Sequence, residues 1–237
     1  MSTFEFTSRV RYSEIRPDGV MSLPAIVKRL QDVCVFHAEN IGRGPFFWIR
    51  EKCSWIIVSW QLVIRSMPRF GDNLTTKTWG YSFHAMEGDR NFVITGDDGR
   101  IFVEAAARMI YFDLDKQRPI RVPREEMEGY GTHDKLETFE YSPRRIRLPE
   151  GPYVPEEPIP IQPMNIDTLG HVNNLVYIEA AMQYLPETFQ VSELRVQYLH
   201  QVKKGEALCP KRYEDGEHVV IVLENGAGDI CSIVEFL

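Results

Sequence analysis

Apolar residues recur along this chain in two rhythms, and both rhythms occur twice in the same order. In the first part, "SLPAIVKRLQDVCVFH" sets Leu23, Ile26, Val27, Leu30, Cys34 and His37 at the spacing of one helix face, with Ser22 able to cap the first turn. Before it, "FTSRVRYSEI" reads as an opening strand. After it, "SWIIVSWQLVIRSMPRFGDNLTTKTWG" alternates like long antiparallel strands broken at Gly71-Asp72. "RNFVITGDDGRIFVEAAARMIYFD" then reads as a hairpin turning at Asp98-Gly99. The second part repeats the set. Leu175, Ile178, Ala181, Met182 and Leu185 share a helical face behind Asn173 or Asn174, either of which can cap it. "SELRVQYLHQVKKGEALCPKRY" breaks at Gly205-Glu206, and "HVVIVLENGAGDICSIVEFL" supplies the closing strands. Setting Gly19 against Gly170 superposes the two turn-then-helix units. The pattern predicts an α+β chain with two antiparallel sheets, each wrapped around a central helix.

Between the repeats, "PRRIRLPEGPYVPEEPIPIQP" carries seven prolines in the twenty-one residues from Pro143 to Pro163. Proline continues neither a helix nor a central strand, so an extended connector is expected here. The expected boundaries are an N-terminal half at 1–140, a connector at 141–163 and a C-terminal half at 164–237.

Composition narrows the function classes. Apolar residues at 43% and charged residues at 26% are ordinary for a soluble globular chain, and no run nears the ~20 apolar residues of a membrane span. "MSTFEFTSRVRYSEIRP" has no apolar core of a secretory signal, so a cytoplasmic location is expected. The net charge of −7 argues against nucleic acid, whose phosphates need a basic face. Cys34, Cys53, Cys209 and Cys231 stand far apart without a C-x-x-C pair, which predicts reduced thiols and no metal site. No cofactor is expected.

"NIDTLGHVNNLVYIEAAMQYL" concentrates the candidate chemistry ahead of the second helix. Its H-V-N-N-L-V-Y resembles the signature of the acyl-acyl-carrier-protein (acyl-ACP) thioesterases of plants and bacteria. "RYSEIRPDG", "WQLVIRSMPRFGD" and "DGRIFVEAAARMIYFDLDKQRPIRVP" look like further segments of that family, so the resemblance covers nearly the whole chain. "GHVNN" alone also occurs in single-hotdog acyl-CoA thioesterases; its combination with the tandem pattern is more specific. The resemblance implies a double hotdog that hydrolyses fatty acyl-ACP to free fatty acid and holo-ACP in fatty acid biosynthesis. Its partner would be the carrier protein with its acyl-phosphopantetheine, with no nucleic acid or membrane involved and homodimerisation left open.

Thioester hydrolysis needs a group to attack or to activate water, and donors for the carbonyl oxygen as it becomes anionic. The resemblance makes Asp167 that group, as nucleophile or general base, with His171 beside it. Gly170 permits close backbone approach, and amides at the helix N-terminus suit an oxyanion. Asn173 and Asn174 read first as caps and second as substrate contacts; Tyr177 reads as core. Two positions depart from the plant pattern. Leu169 stands where D-x-N-x-H has asparagine, and Gln201 where a further carboxylate lies in the following strand. Gln201 can hold water or a carbonyl but cannot take a proton, and proton transfer by a positioned group is worth ~10²–10⁴-fold. His200 is expected to face the opposite side of the sheet from Gln201. In the first half Arg16 aligns with Asp167 and Asp18 with Leu169. A guanidinium does not deprotonate, so one active site is expected, in the C-terminal half, with the N-terminal half completing the acyl pocket. An acidic carrier would be met by Arg144, Arg145, Arg147, Lys203, Lys204, Lys211 and Arg212. The alternatives are an acyl-CoA thioesterase and a non-catalytic acyl-binding hotdog. A hotdog dehydratase is disfavoured, since its H-F-P-x-x-P-x-M-P-G motif is absent.

Overall fold

The computed structural model describes residues 3–167, 170–215 and 218–237, with Asp215 described by its backbone alone. The chain divides into two compact units, Met1–Val58 with Leu62–Tyr141, and Ser59–Gln61 with Ser142–Leu237.

The first unit contains β1 (Phe4–Arg9), α1 (Leu23–Asn40), α2 (Pro45–Glu51), most of β2 (Cys53–Ile64), β3 (Asn73–His84), β4 (Glu87–Gly96), β5 (Ile101–Asp113), β6 (Arg118–Pro119) and α3 (Arg124–Tyr130). Its strands run in the order β1-β3-β4-β5-β2, with β6 beside β5. The antiparallel register is set by pairs such as Phe6↔Thr76, Thr76↔Ile94 and Ile94↔Val103. Leu74, Thr76 and Thr78 are buried while Thr75 and Lys77 between them are not, the period-two alternation of a sheet covered on one face. The cover is α1, which packs on β1 and β3. Ser22 caps it, its Oγ accepting from Ala25 N at 3.3 Å, as the pattern predicts. Val27 and Val33 are poor helix formers, so α1 is held by burial; a fully buried aliphatic side chain is worth roughly 1.5–3 kcal/mol. Ile26, Val27, Leu30 and Val33 are all fully buried.

The buried arginines of this unit are paired. Arg29 reaches Thr76 Oγ1 at 2.8 Å and the carbonyls of Ser8 and Leu74. Arg90 Nη2 lies 2.6 Å from His37 Nδ1. Arginine only donates, so Nδ1 accepts and His37 is neutral. Burial, then the charges of Arg90 and His133, push the His37 pKa down to about 3.

The second unit contains β7 (Val154–Pro155), β8 (Ile159–Pro160), α4 (Asn174–Met182), β9 (Glu193–Tyr198), β10 (Ala207–Asp215), β11 (His218–Glu224) and β12 (Ile230–Phe236). Its order is β9-β12-β11-β10-β7, with β8 also on β10. Leu175, Tyr177, Ile178, Ala180 and Ala181 of α4 are buried, and the helix packs on β11 and β12. Each unit is thus an antiparallel sheet around one long or central helix, the hotdog architecture expected from the sequence.

The proline-rich stretch is extended and belongs to the second unit. Lys211↔Pro155 and Leu208↔Ile159 lay it along the edge strand β10, where a missing N–H breaks no inner ladder. Ile146 is buried against Val220, Val222 and Ile233.

Three expectations need correction. The opening strand begins at Phe4 and ends at Arg9, because Glu14 accepts from Arg11 N at 2.6 Å and winds Tyr12–Glu14 into a 3₁₀ turn. The second helix ends at Met182, leaving Leu185 outside it. Pro186 biases the residue before it away from helix, and Gln183, Tyr184 and Leu185 donate to carbonyls three residues back, the 3₁₀ pattern. Finally, α2 and α3 had no counterpart in the periodicity; at seven residues each they are too short to show one.

Candidate active site

The segment before α4 is closed by a chain of local hydrogen bonds. Gln162 N donates to Asn165 Oδ1 at 2.8 Å, opening a 3₁₀ turn at Pro163–Asn165. Ile166 and Val172 form an antiparallel bridge. Inside it, Asp167 N donates to His171 O at 2.7 Å and Gly170 N to Asp167 O at 3.1 Å. Gly170 has φ +81°, a left-handed conformation that glycine adopts without Cβ strain. Asn173 N donates to Asn165 O at 2.9 Å, and Asn173 Oδ1 accepts from Leu175 N at 2.9 Å. Asn173 is therefore the cap, and Asn174 is the first helical residue.

The candidate groups meet on this turn. Asp167 is half-buried, and its Oδ1 accepts from His171 N at 3.1 Å, which holds the carboxylate at the positive end of α4. The His171 imidazole is half-buried and makes no hydrogen bond among the described residues. Of the helix amides expected to receive the oxyanion, Leu175 N and Val176 N donate to Asn173 Oδ1 and O. The N-terminus of α4 also offers a carbonyl oxygen its positive field. Leu169 lies outside the described residues.

The first unit builds the same turn from different side chains. Ile15 and Met21 form the bridge, Arg16 N donates to Val20 O at 2.8 Å, and Gly19 N to Arg16 O at 2.9 Å. Gly19 has φ +78°, and Ser22 N donates to Glu14 O at 2.8 Å as Asn173 does to Asn165. The bridge, the backbone hydrogen bonds and the positive-φ glycine of the described residues therefore set Arg16 opposite Asp167. Arg16 pairs with Asp18 at 2.7 Å. The Val20 amide and Arg16 hold the Asp18 carboxyl below its ordinary range. This turn presents an ion pair where its twin presents an acid next to an imidazole.

Gln201 lies beyond the strand in which alignment set it. Strand β9 ends at Tyr198, because Leu199 N and His200 N both donate to Cys231 O and close the ladder. Gln201 is exposed in the loop that follows, its side chain without a hydrogen bond among the described residues. The face alternation expected for His200 does not apply there; its Nδ1 is 2.9 Å from Ile230 O. Tyr177 is buried as expected, its hydroxyl pKa pushed up to about 12, mainly by that burial. Among the basic candidates, Lys211 pairs with Glu224 at 2.7 Å and Arg212 with Glu156 at 2.8 Å. Lys203 and Lys204 are exposed at the Gly205 turn, and Arg144, Arg145 and Arg147 are exposed in the proline-rich stretch. Among the described residues no His, Cys, Asp or Glu cluster could hold a metal ion, and the four cysteines are free thiols.

Residues 2–130 match the model of the acyl-ACP thioesterase N-terminal domain, and residues 155–234 that of the acyl-ACP thioesterase C-terminal domain. The fold is similar to the crystal structure of an acyl-ACP thioesterase from Bacteroides thetaiotaomicron, with TM-score 0.88 and 18% identity over 99% of this chain and 97% of that one. In sequence, the chain is 21% identical to the chloroplastic dodecanoyl-[acyl-carrier-protein] hydrolase of Cinnamomum camphora, over 82% of this chain and 55% of that protein. It is 24% identical to the chloroplastic palmitoyl-acyl carrier protein thioesterase of Gossypium hirsutum, over 84% of this chain and 52% of that protein. The chain spans about half the length of the curated relatives it matches. Two paired domain models, in order, account for most of its residues, and the chain belongs to the acyl-ACP thioesterase family.

Proposed function

We propose that this protein hydrolyses fatty acyl-ACP to free fatty acid and holo-ACP, within fatty acid biosynthesis, at the turn before α4. The observation that carries this reading is the Asp167 carboxylate tethered to the His171 amide at a capped helix N-terminus, beside an imidazole with no other hydrogen bond among the described residues. Asp167 acts on the thioester carbonyl, either by attacking it or by taking the proton of a water that does. Negative charge then gathers on the carbonyl oxygen, where the field of α4 and a donated His171 hydrogen bond favour it. The carbon–sulfur bond breaks and the pantetheine thiolate leaves and is protonated; where Asp167 has attacked, water then cleaves the acyl–Asp167 anhydride, and on either route the acid is released with the Asp167 carboxylate restored. Gln201 serves as a polar contact for water or thioester, since an amide takes no proton. Family membership and the names of the matched relatives support the carrier, and the ion-paired Arg16 turn supports a single site per chain.

Rates on matched panels of acyl-ACPs and acyl-CoAs, for wild type and Asp167→Asn, test the proposal. Turnover of acyl-ACP that falls at least 10²-fold in Asp167→Asn is expected. Full activity in that variant overturns the assignment, and a preference for acyl-CoA at every chain length overturns the carrier. Single turnover in ¹⁸O-water separates the two roles, because only a nucleophilic Asp167 accumulates label in its own carboxylate.

A further inference from the structure

The loop bearing Gln201 is stapled to the first turn of α4 by two tyrosine hydroxyls. Tyr198, the last residue of β9, donates from its hydroxyl to Asn174 O at 3.0 Å. Four residues on, Val202 N donates to the Tyr177 hydroxyl at 3.2 Å. Asn174 and Tyr177 are three apart and share one face of α4, so the segment 198–202 is fixed at both ends to a single helical turn. The two rings also pack edge-on, with centroids 5.6 Å apart. Val202 is 1% exposed and Tyr177 3%, so the bond between them cannot be replaced cheaply by water. Gln201 lies inside the stapled segment, and His171 and Asn173 lie immediately before the turn that holds it.

The first unit lacks the device. By the turn alignments, Gly19 with Gly170 and Gly71 with Gly205, the counterparts of Tyr177 and Tyr198 are Ile26 and Ile64, and that of Val202 is Pro68. Neither isoleucine has a hydroxyl and proline has no N–H. The first unit ties the equivalent loop to its turn through the backbone instead, Met21 N donating to Pro68 O at 2.8 Å and Phe70 N to Gly19 O at 3.0 Å. In the unit with Asp167 two side-chain hydroxyls fasten the loop to the helix.

We propose that Tyr177 and Tyr198 are positioning residues for thioester hydrolysis, holding Gln201 at a fixed offset from the Asp167–His171 turn. The inference rests on the hydrolase reading above. Removing a hydroxyl but not the ring frees the loop while leaving the core filled. Tyr177→Phe and Tyr198→Phe should each lower kcat about tenfold, the effect of one buried hydrogen bond on a geometry-dependent step, with KM within twofold. Gln201→Ala should lower kcat in wild type and add little in the double tyrosine variant, because residues acting through one another are non-additive. Ile178→Val, a core change in the same helix with a comparable loss of stability, should leave kcat unchanged. Either single tyrosine variant suffices should the other fail to fold. Unchanged kcat in the tyrosine variants, or full additivity with Gln201→Ala, overturns the inference while loss of turnover in Asp167→Asn keeps the hydrolase reading. Full turnover in Asp167→Asn overturns both.

Discussion

The twin turns provide an internal control for the candidate site. Gly170 and Gly19 have φ of +81° and +78°, and among the described residues a Cβ added at either would meet nothing within 4 Å. Alanine at each position therefore introduces left-handed strain and no collision. Such strain costs an L-residue roughly 1–2 kcal/mol, offset by about 0.4–1 kcal/mol from the reduced freedom of the unfolded chain. The net loss is about 1 kcal/mol, the same in both variants. For a chain of this size that corresponds to a drop of about 2–4 °C in Tm. The functional costs should differ. Strain at Gly170 loosens the Gly170 N to Asp167 O bond and shifts the adjacent His171, whereas strain at Gly19 loosens the Gly19 N to Arg16 O and Phe70 N to Gly19 O bonds, beside an Arg16–Asp18 ion pair and no candidate catalytic group. Thermal unfolding and steady-state acyl-ACP hydrolysis on both variants are the assays. Gly170→Ala should lose at least tenfold in kcat, and Gly19→Ala less than twofold, at matched Tm. Equal losses of activity, or full activity in Gly170→Ala, would refute the assignment of chemistry to the second turn alone.

Asn173→Ala removes the acceptor of Leu175 N and should cost about 1 kcal/mol of stability in urea unfolding; a loss near zero would mean the cap carries no weight. Lys203→Glu with Lys204→Glu should slow acyl-ACP turnover more than acyl-CoA turnover, and the wild-type difference should shrink above ~0.15 M salt; equal losses on both carriers would point away from an acidic partner at this turn. His37 predicts a pH effect on stability. Its folded pKa of about 3 lies below the ~6.5 of an unfolded histidine, so between those values the unfolded chain binds a proton the folded chain refuses. Unfolding free energy should therefore rise with pH through that window, and the rise should be smaller in His37→Gln; identical slopes in the two proteins would refute a buried neutral imidazole.

Several features were legible because their physics is local. A glycine forced to positive φ, a small polar cap and an apolar face at helical spacing all lie within a dozen residues, so Gly170, Asn173 and Ser22 announce their roles in the chain itself. The 3₁₀ turn at Tyr12–Glu14 and the short helices did not, since one or two turns leave no period to read. The burial of Ile146 was hidden for another reason. Proline density identifies an extended chain but not the sheet edge that the chain will line.

The tyrosine staple marks the boundary of such reading. Alternation assigns Tyr198 to a strand and helical spacing assigns Tyr177 to a core face, and both assignments hold. Neither period says what a hydroxyl at the end of the ring will reach, because Asn174 and Val202 come within range only after α4 and β9 have packed together. The same reasoning explains why matching backbone geometry was a poor guide to chemistry here. Both halves retain the bridge, the positive-φ glycine and the capped helix, because those features close the turn and start the helix whatever the side chains do. Arg16 and Asp167 occupy equivalent backbone positions and differ by the one property hydrolysis requires, an atom that can accept a proton or attack a carbonyl. In a duplicated fold the shared turn is therefore evidence of packing, and the departures from symmetry, Asp167 for Arg16, His171 for Val20 and Tyr177 for Ile26, are where function is to be sought.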